Sequence, residues 1–227
     1  MVSKTDFKHN PAERTIETAG RVYTDFELTG DFRLLRQANY GEGFRMATFG
    51  EVLDLVHQSY LNQGNTGADN VVRATRQFWL SGNTVAYGGR DIITVQNFPE
   101  IKEGRIIMDF EELESLLNEG EDLVPGVRIS RDGNVGFVLR NKVRGGWHDE
   151  TQIRGSLYPI VLALSKNGSD NMADISRVKQ KSAYFALPTV GKITVLDLDE
   201  DDDRLGFGGY YWGEFDNGRH SFGVKEK

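Results

Sequence analysis

β-branched and aromatic residues stand in near alternation with polar ones in Arg21-Val-Tyr-Thr-Asp-Phe-Glu-Leu28, which predicts a strand. The period changes at Thr48. Thr48 followed by Glu51 is a capping box, and Val52, Leu55, Val56 and Tyr60 then share one helical face, so a helix is expected through Val52–Leu61. His57 lies beside that apolar stripe and reads as a partly buried structural residue. Gly64–Asn70 predicts a loop, and Val71–Leu80 fits a helix or a strand. Thr84–Tyr87 and Asp91–Gln96 predict two strands joined through Gly88 and Gly89, and Gly104–Met108 predicts another short one. Asp109 followed by Glu112 is a second capping box, opening a helix with Leu113, Leu116 and Leu117 inside and Gly120 at its end. Val127–Leu139 alternates on both sides of Asp132-Gly133 and predicts a hairpin.

Downstream, Gln152–Lys166 is apolar enough for a buried helix, with Pro159 in its first turn or at a kink. Asp170–Lys179 is an amphipathic helix, and Tyr184–Leu187 and Lys192–Leu198 are strands. Residues 1–16 carry no pattern and read as a loose arm. No repeat or linker divides residues 17–227. A single α+β domain is expected, with helices packed on short, mostly antiparallel strands.

Composition narrows the chemistry. The chain has 227 residues, enough to bury a proper core, and no cysteine. That removes disulfides, thiolate nucleophiles, cysteine-held zinc and iron–sulfur clusters. The four histidines, His9, His57, His148 and His220, are far apart, so no metal and no cofactor is expected. A net charge of −7 argues against nucleic acid or an anionic membrane as partner. Arg140, Lys142, Arg144 and Trp147 form a basic-aromatic patch that reads as a local surface feature. No apolar run reaches the roughly 20 residues of a membrane span, and the first residues lack the apolar core of a signal peptide. Synthesis in the cytoplasm is expected, with the final location open. No dinucleotide fingerprint, phosphate loop or nucleophile elbow occurs.

Two stretches remain as candidate sites. The acidic run Asp197, Asp199, Glu200, Asp201, Asp202 and Asp203 has the oxygen ligands a hard cation prefers, but not the glycine spacing of a calcium loop. The plainer expectation is a solvated charged loop. The alternative is a carboxylate- or metal-dependent hydrolase using Asp197–Asp203, with His220 beside it. The second stretch is the tail, Arg204–Val224. Its aromatic, glycine and small polar residues are those of a paratope, where large side chains supply contact area with few torsions to freeze. Gly208, Tyr210, Tyr211, Trp212, Glu214, Asp216, Asn217, Arg219 and His220 are the candidate ligand contacts. Leu205, Phe207, Phe222 and Val224 are the expected buried counter-set. The plainer reading of the tail is a β-hairpin turning at Asp216-Asn217-Gly218.

Two segments carry a family resemblance. Gly43-Phe-Arg-Met-Ala-Thr-Phe-Gly-Glu-Val-Leu53 is similar to the strand-to-helix lead of formylglycine-generating-enzyme-like C-type lectin folds, with Ala47 where that pattern has proline. The tail, ending in Phe222-Gly-Val224, is similar to the C-terminal repeat of archaeal variable proteins diversified by retroelements. Ile92–Asp109 and Tyr158–Leu164 are similar in kind. The resemblance implies a C-type lectin-like domain over 17–227 with a variable region at about 184–224. It implies a non-catalytic protein that displays a diversified surface to protein or cell-surface ligands. The related enzymes use cysteines, which this chain lacks. The Glu-Pro-Asn, Gln-Pro-Asp and Trp-Asn-Asp motifs of calcium-dependent sugar lectins are also missing, which disfavours that mode of binding.

Overall fold

The structure is a computed structural model and describes residues 7–155, 168–200, 204–208 and 218–227. Regular structure begins earlier than the pattern of residues 1–16 predicts. β1 (Lys8–Asn10) pairs antiparallel with β2 (Thr15–Thr18), which pairs with β3 (Arg21–Gly30). Ile16 is fully buried, and His9 Nε2 lies 3.0 Å from Asp25 Oδ2. The expectation of a loose arm is therefore corrected for residues 8–16. Strands of three and four residues are too short to show a period, yet they cover a sheet edge.

After α1 (Phe32–Gln37) and β4 (Arg45–Met46) comes α2 (Phe49–Leu61). Its capping box is formed: the Thr48 hydroxyl accepts from the Glu51 amide, and the Thr48 amide donates to Glu51 Oε2 at 2.7 Å. Glu51 also accepts two 2.8 Å hydrogen bonds from Arg45. The helix is buried on more than the one predicted face, because Leu53, Gln58 and Ser59 are enclosed along with Val52, Leu55, Val56 and Tyr60. Truncating Val52 or Leu55 to Ala should cost about 2–5 kcal/mol, read as a lowered thermal midpoint. An unchanged melt for either would contradict this packing.

α3 (Thr66–Gln77) starts inside the predicted loop, because Asn65 caps it by accepting from the Gly67 amide. It ends at β5 (Trp79–Gly88), so Val71–Leu80 is mostly helix, then strand. β6 (Ile92–Asn97), β7 (Glu100–Lys102), β8 (Arg105–Ile107) and α4 (Phe110–Asn118) follow. Next come β9 (Glu121–Val124) and the predicted hairpin, β10 (Val127–Ile129) with β11 (Val135–Leu139). β12 (Gly146–His148), α5 (Glu150–Gly155), α6 (Gly168–Lys179) and β13 (Ser182–Ala186) lead to β14 (Ile193–Glu200), β15 (Arg204–Gly208) and β16 (Arg219–Glu226). The helix expected over 152–166 begins within α5, and 156–167, with Pro159, lies outside the described residues.

Among the described residues, fourteen strands join in one sheet, whose main path runs β1-β2-β3-β16-β5-β14-β15-β13-β12. The last strand of the chain is thus central. β16 pairs with β3 and β4 antiparallel and with β5 parallel, whereas β15 pairs with β13 and β14. β15 and β16 are therefore not hairpin partners, since β5 and β14 stand between them, and Asp216 and Asn217 of the expected turn lie outside the described residues. The lead into α2 is stitched to this centre: the Ala47 amide donates to Phe222 O at 3.0 Å, and the Asn83 amide donates to Ala47 O at 2.7 Å. Helices α2, α3 and α6 lie on the apolar side. There Phe207 meets Phe49 and Phe185, each with ring centroids 5.0 Å away.

Candidate functional site

Alternation along β14 and β15 divides the sheet into two chemically different faces. Leu198 and Phe207 are partners across the ladder, and with Phe185 of β13 they face the helices. The intervening residues face the other way. Asp199, Gly206, Tyr184 and Trp147 form one cross-strand row; Gly208 lies opposite Asp197, and Asp197 opposite Ser81. Two glycines shape this face. A Cβ on Gly206 would sit 1.9 Å from Asp199 Oδ1, so the carboxylate occupies the side-chain space. Gly208 has φ +120°, and its Cβ would meet Ala186 O at 2.2 Å.

Asp197 is the centre of the site. It is buried, accepts a hydrogen bond from the Ser81 hydroxyl, and its Oδ1 lies 3.3 Å from Arg219 Nε. Asp197 therefore sits beside both flanks of the 209–217 segment: its backbone is the ladder partner of Gly208, and its carboxylate is the ion-pair partner of Arg219. Burial pushes the carboxyl up to about 6, outweighing the opposing pull of Arg219.

These contacts correct the expectation of a solvated acidic loop. Asp197, Asp199 and Glu200 are strand residues with low exposure. Glu200 points to the helix side, where Oε1 lies 2.7 Å from Lys181 Nζ and 3.0 Å from Lys179 Nζ. Its Oε2 lies 3.3 Å from Arg76 Nε and accepts a hydrogen bond from the Tyr60 hydroxyl. Burial raises this carboxyl, but the hydrogen bonds from Lys181, Tyr60 and Lys179 prevail and hold it at about 2. Asp201, Asp202 and Asp203 lie outside the described residues.

The tail residues separate in the same way. Leu205, Phe207, Phe222 and Val224 are buried, as their apolar character predicts. Tyr210, Tyr211, Trp212, Glu214, Asp216 and Asn217 lie outside the described residues. Gly208, Arg219 and His220 are inside the framework rather than at an open surface. Arg219 is only 2% exposed because Asp197 compensates its charge. His220 stacks on Phe78 at 3.7 Å, with Nδ1 3.2 Å from Thr29 Oγ1, and burial lowers its pKa. Its ladder partner is Leu80, so His220 and Asp197 are on opposite faces and do not form an acid–base pair.

The other histidines are structural. His57 Nε2 is 3.3 Å from Asp174 Oδ2, and His148 Nε2 is 3.0 Å from Arg144 O. Among the described residues no group of three or more histidines and carboxylates could hold a metal ion. The basic-aromatic patch also divides. Arg140 donates to Gly89 O at 3.2 Å and Pro188 O at 2.9 Å, whereas Trp147 stays exposed with its ring 5.3 Å from Tyr184. The role of Asp197 is missed by composition, which sees only a run of acids. The alternation Leu196-Asp197-Leu198-Asp199 is the signal that could have found it, because it marks a two-faced strand.

No family model matches the chain, and no curated protein matches it. Among solved structures, one described as the accommodation of massive sequence variation in Nanoarchaeota by the C-type lectin fold superposes with a TM-score of 0.53 at 14% identity. The match covers 93% of this chain and 100% of that one. The fold is thus a C-type lectin fold, as the Gly43–Leu53 lead and the tail imply. No helix among the described residues is long and apolar enough to cross a membrane.

Proposed function

We propose that this chain is a ligand-binding display protein. Its contact surface is the segment 209–217, with Tyr210, Tyr211, Trp212, Glu214, Asp216 and Asn217 as the contact residues. A retroelement diversifies this surface against varied protein or cell-surface targets. The observation that carries the reading is the clasp at Asp197. Both flanks of the segment are fixed at one buried residue, Gly208 by backbone strand pairing with Asp197 and Arg219 by its ion pair with the Asp197 carboxylate, and the apolar residues Leu205, Phe207, Phe222 and Val224 are sealed in the core. Variation between two such fixed ends leaves the framework contacts in place. The solved structure of like fold is described as accommodating massive sequence variation, and the C-type lectin fold is in general a binding fold. Arg219 and His220 belong to the framework in this reading, and Gly208 is the hinge at which the contact segment begins.

Changing Tyr210, Asp216 and Asn217 together to serine tests this. Stability should stay within about 0.5 kcal/mol per substitution, as for surface positions, while ligand binding is lost or redirected. A library randomised at Tyr210, Tyr211, Glu214, Asp216 and Asn217 and displayed on yeast should yield folded binders to a probe protein such as hen egg-white lysozyme. A triple variant that unfolds would overturn the reading. The encoding DNA tests the retroelement separately, through an adenine-altered near-copy of the 3′ end beside a reverse transcriptase gene.

A further inference from the structure

We infer that the cleft between α4 and the β6, β11 and β10 strands is a docking groove for a basic amphipathic helix of a partner protein. It is independent of the display reading, because β6, β11, β10 and β9 form a branch of the sheet off the path that carries β15. The cleft follows from the way α4 is fixed at its two ends. At its start, the Phe110 ring centroid lies 4.7 Å from that of Tyr87. At its finish, Arg128 Nη2 donates to Asn118 O at 3.3 Å and to Gly120 O at 3.2 Å. Gly120 lets the chain come against β10 there, since a Cβ would sit 2.1 Å from Ile129 O. Between these ends Phe110, Leu113 and Leu117, spaced three and four residues apart, share one helix face and form the wall. Arg128, Phe137 and Thr94 are partners in one cross-strand row, and with Ile92, two residues from Thr94 on the same face, they form the floor. The cleft encloses about 420 Å³. It runs for about 13 Å along α4 at 1.5 Å per helical residue.

The helix does not seal this face by itself. Leu113 is buried, but Phe110 is 47% and Ile92 38% exposed, so large apolar groups stand open at one end of the cleft. Charge selects what covers them. Between Asp109 and Asp122 the chain has seven carboxylates and no lysine or arginine. Glu111, Glu112, Glu114 and Glu119 are exposed and form no ion pair among the described residues. Arg128, the cation in the lining, is engaged by the two carbonyls at the end of α4 and lies 3.8 Å from Asp122 Oδ1. An apolar groove with an acidic rim is complementary to an apolar stripe flanked by cations, the pattern of an amphipathic helix laid in a groove. The same rim disfavours a second copy of this chain, whose net charge is −7, and an anionic lipid surface. A helix with large apolar residues three and four apart places them over Phe110, Ile92 and Leu117, and its lysines or arginines meet the glutamates of α4.

Fluorescence anisotropy with a fluorescein-labelled amphipathic helix of leucine and lysine tests this on the full chain. The probe should bind saturably, one per chain, and the same helix with glutamate in place of lysine should not bind. Phe110→Ala should weaken the lysine helix at least fivefold. Glu111→Lys with Glu114→Lys should weaken it at least tenfold. Glu13→Lys with Glu42→Lys changes the net charge equally at two exposed acids outside the cleft and should stay within twofold. Leu34→Ala, at an exposed leucine on α1, should also stay within twofold. No saturable binding would overturn the inference. So would equal losses from the two charge-reversed pairs, which would mean attraction to net charge alone, or unchanged binding by Phe110→Ala. A dimer in sedimentation that Phe110→Ala abolishes would give the cleft to a second copy and also overturn it. If Phe110→Ala does not fold, the contrast between the two charge-reversed pairs decides. None of these outcomes bears on the display reading, whose tests use other residues.

Discussion

Replacing Asp197 with Ala should destabilise the protein by about 3–5 kcal/mol, because it removes a buried carboxylate that pairs with the buried Arg219 guanidinium. At two to four degrees per kcal/mol for a domain of this size, the thermal midpoint should fall by roughly 10 °C. Removing both charges, as Asp197→Ala with Arg219→Met, should recover most of the loss, since an apolar pair needs no compensation. A double variant no better than the single one would show that Asp197 acts otherwise than through Arg219. Asp197→Asn should cost less than Ala, because the amide oxygen still accepts from Ser81 and Arg219. It should also change the pH profile. The carboxyl titrates at about 6 when folded, above the ordinary 3.8 of an unfolded aspartate. A raised carboxyl contributes stability that is fully present below the unfolded value and lost as pH rises through the folded one. Between about pH 4 and 6 the native protein should therefore lose stability relative to Asp197→Asn, and a difference flat across that range would contradict the burial of this group.

Phe207→Ala should cost about 3–5 kcal/mol, the range for deleting a buried aromatic ring. Phe207 is 2% exposed and joins Phe49 at the start of α2 to Phe185 of β13, with both centroids at 5.0 Å. The cavity would open where helix layer and sheet meet, so relaxation around it is restricted. Chemical denaturation should show a lower midpoint with an unchanged slope. A loss below about 1 kcal/mol would mean that the site collapses freely, against the packing described. Phe207 stands two residues from the proposed contact segment, so it separates framework from display: it should be intolerant of change where Tyr210 is tolerant.

Some of this was readable from local pattern. The Thr48–Glu51 cap, the strand from Arg21, the hairpin at Asp132-Gly133 and the apolar set Leu205, Phe207, Phe222 and Val224 all rest on contacts or periods within a few residues. Such contacts are dictated by the residues themselves. The start of α3 was misplaced because Asn65 and Thr66 suit a loop and a helix cap equally. The hairpin at 8–18 was missed because its strands are too short to show a period.

The sequence alone determined the fold class, the absence of thiol chemistry, and the mixture of aromatics and small polar residues in the tail. Only the tertiary structure decided which acids and cations belong to the framework. Asp197, Ser81 and Arg219 come from three strands, and the distances along the chain between them carry no sign of the pairing. The same holds for Glu200, whose partners Tyr60, Arg76, Lys179 and Lys181 arrive from three helices or their ends. An acid in a run reads as solvated because exposed charge is the rule, and it becomes structural only when the fold carries a cation into the same dry space.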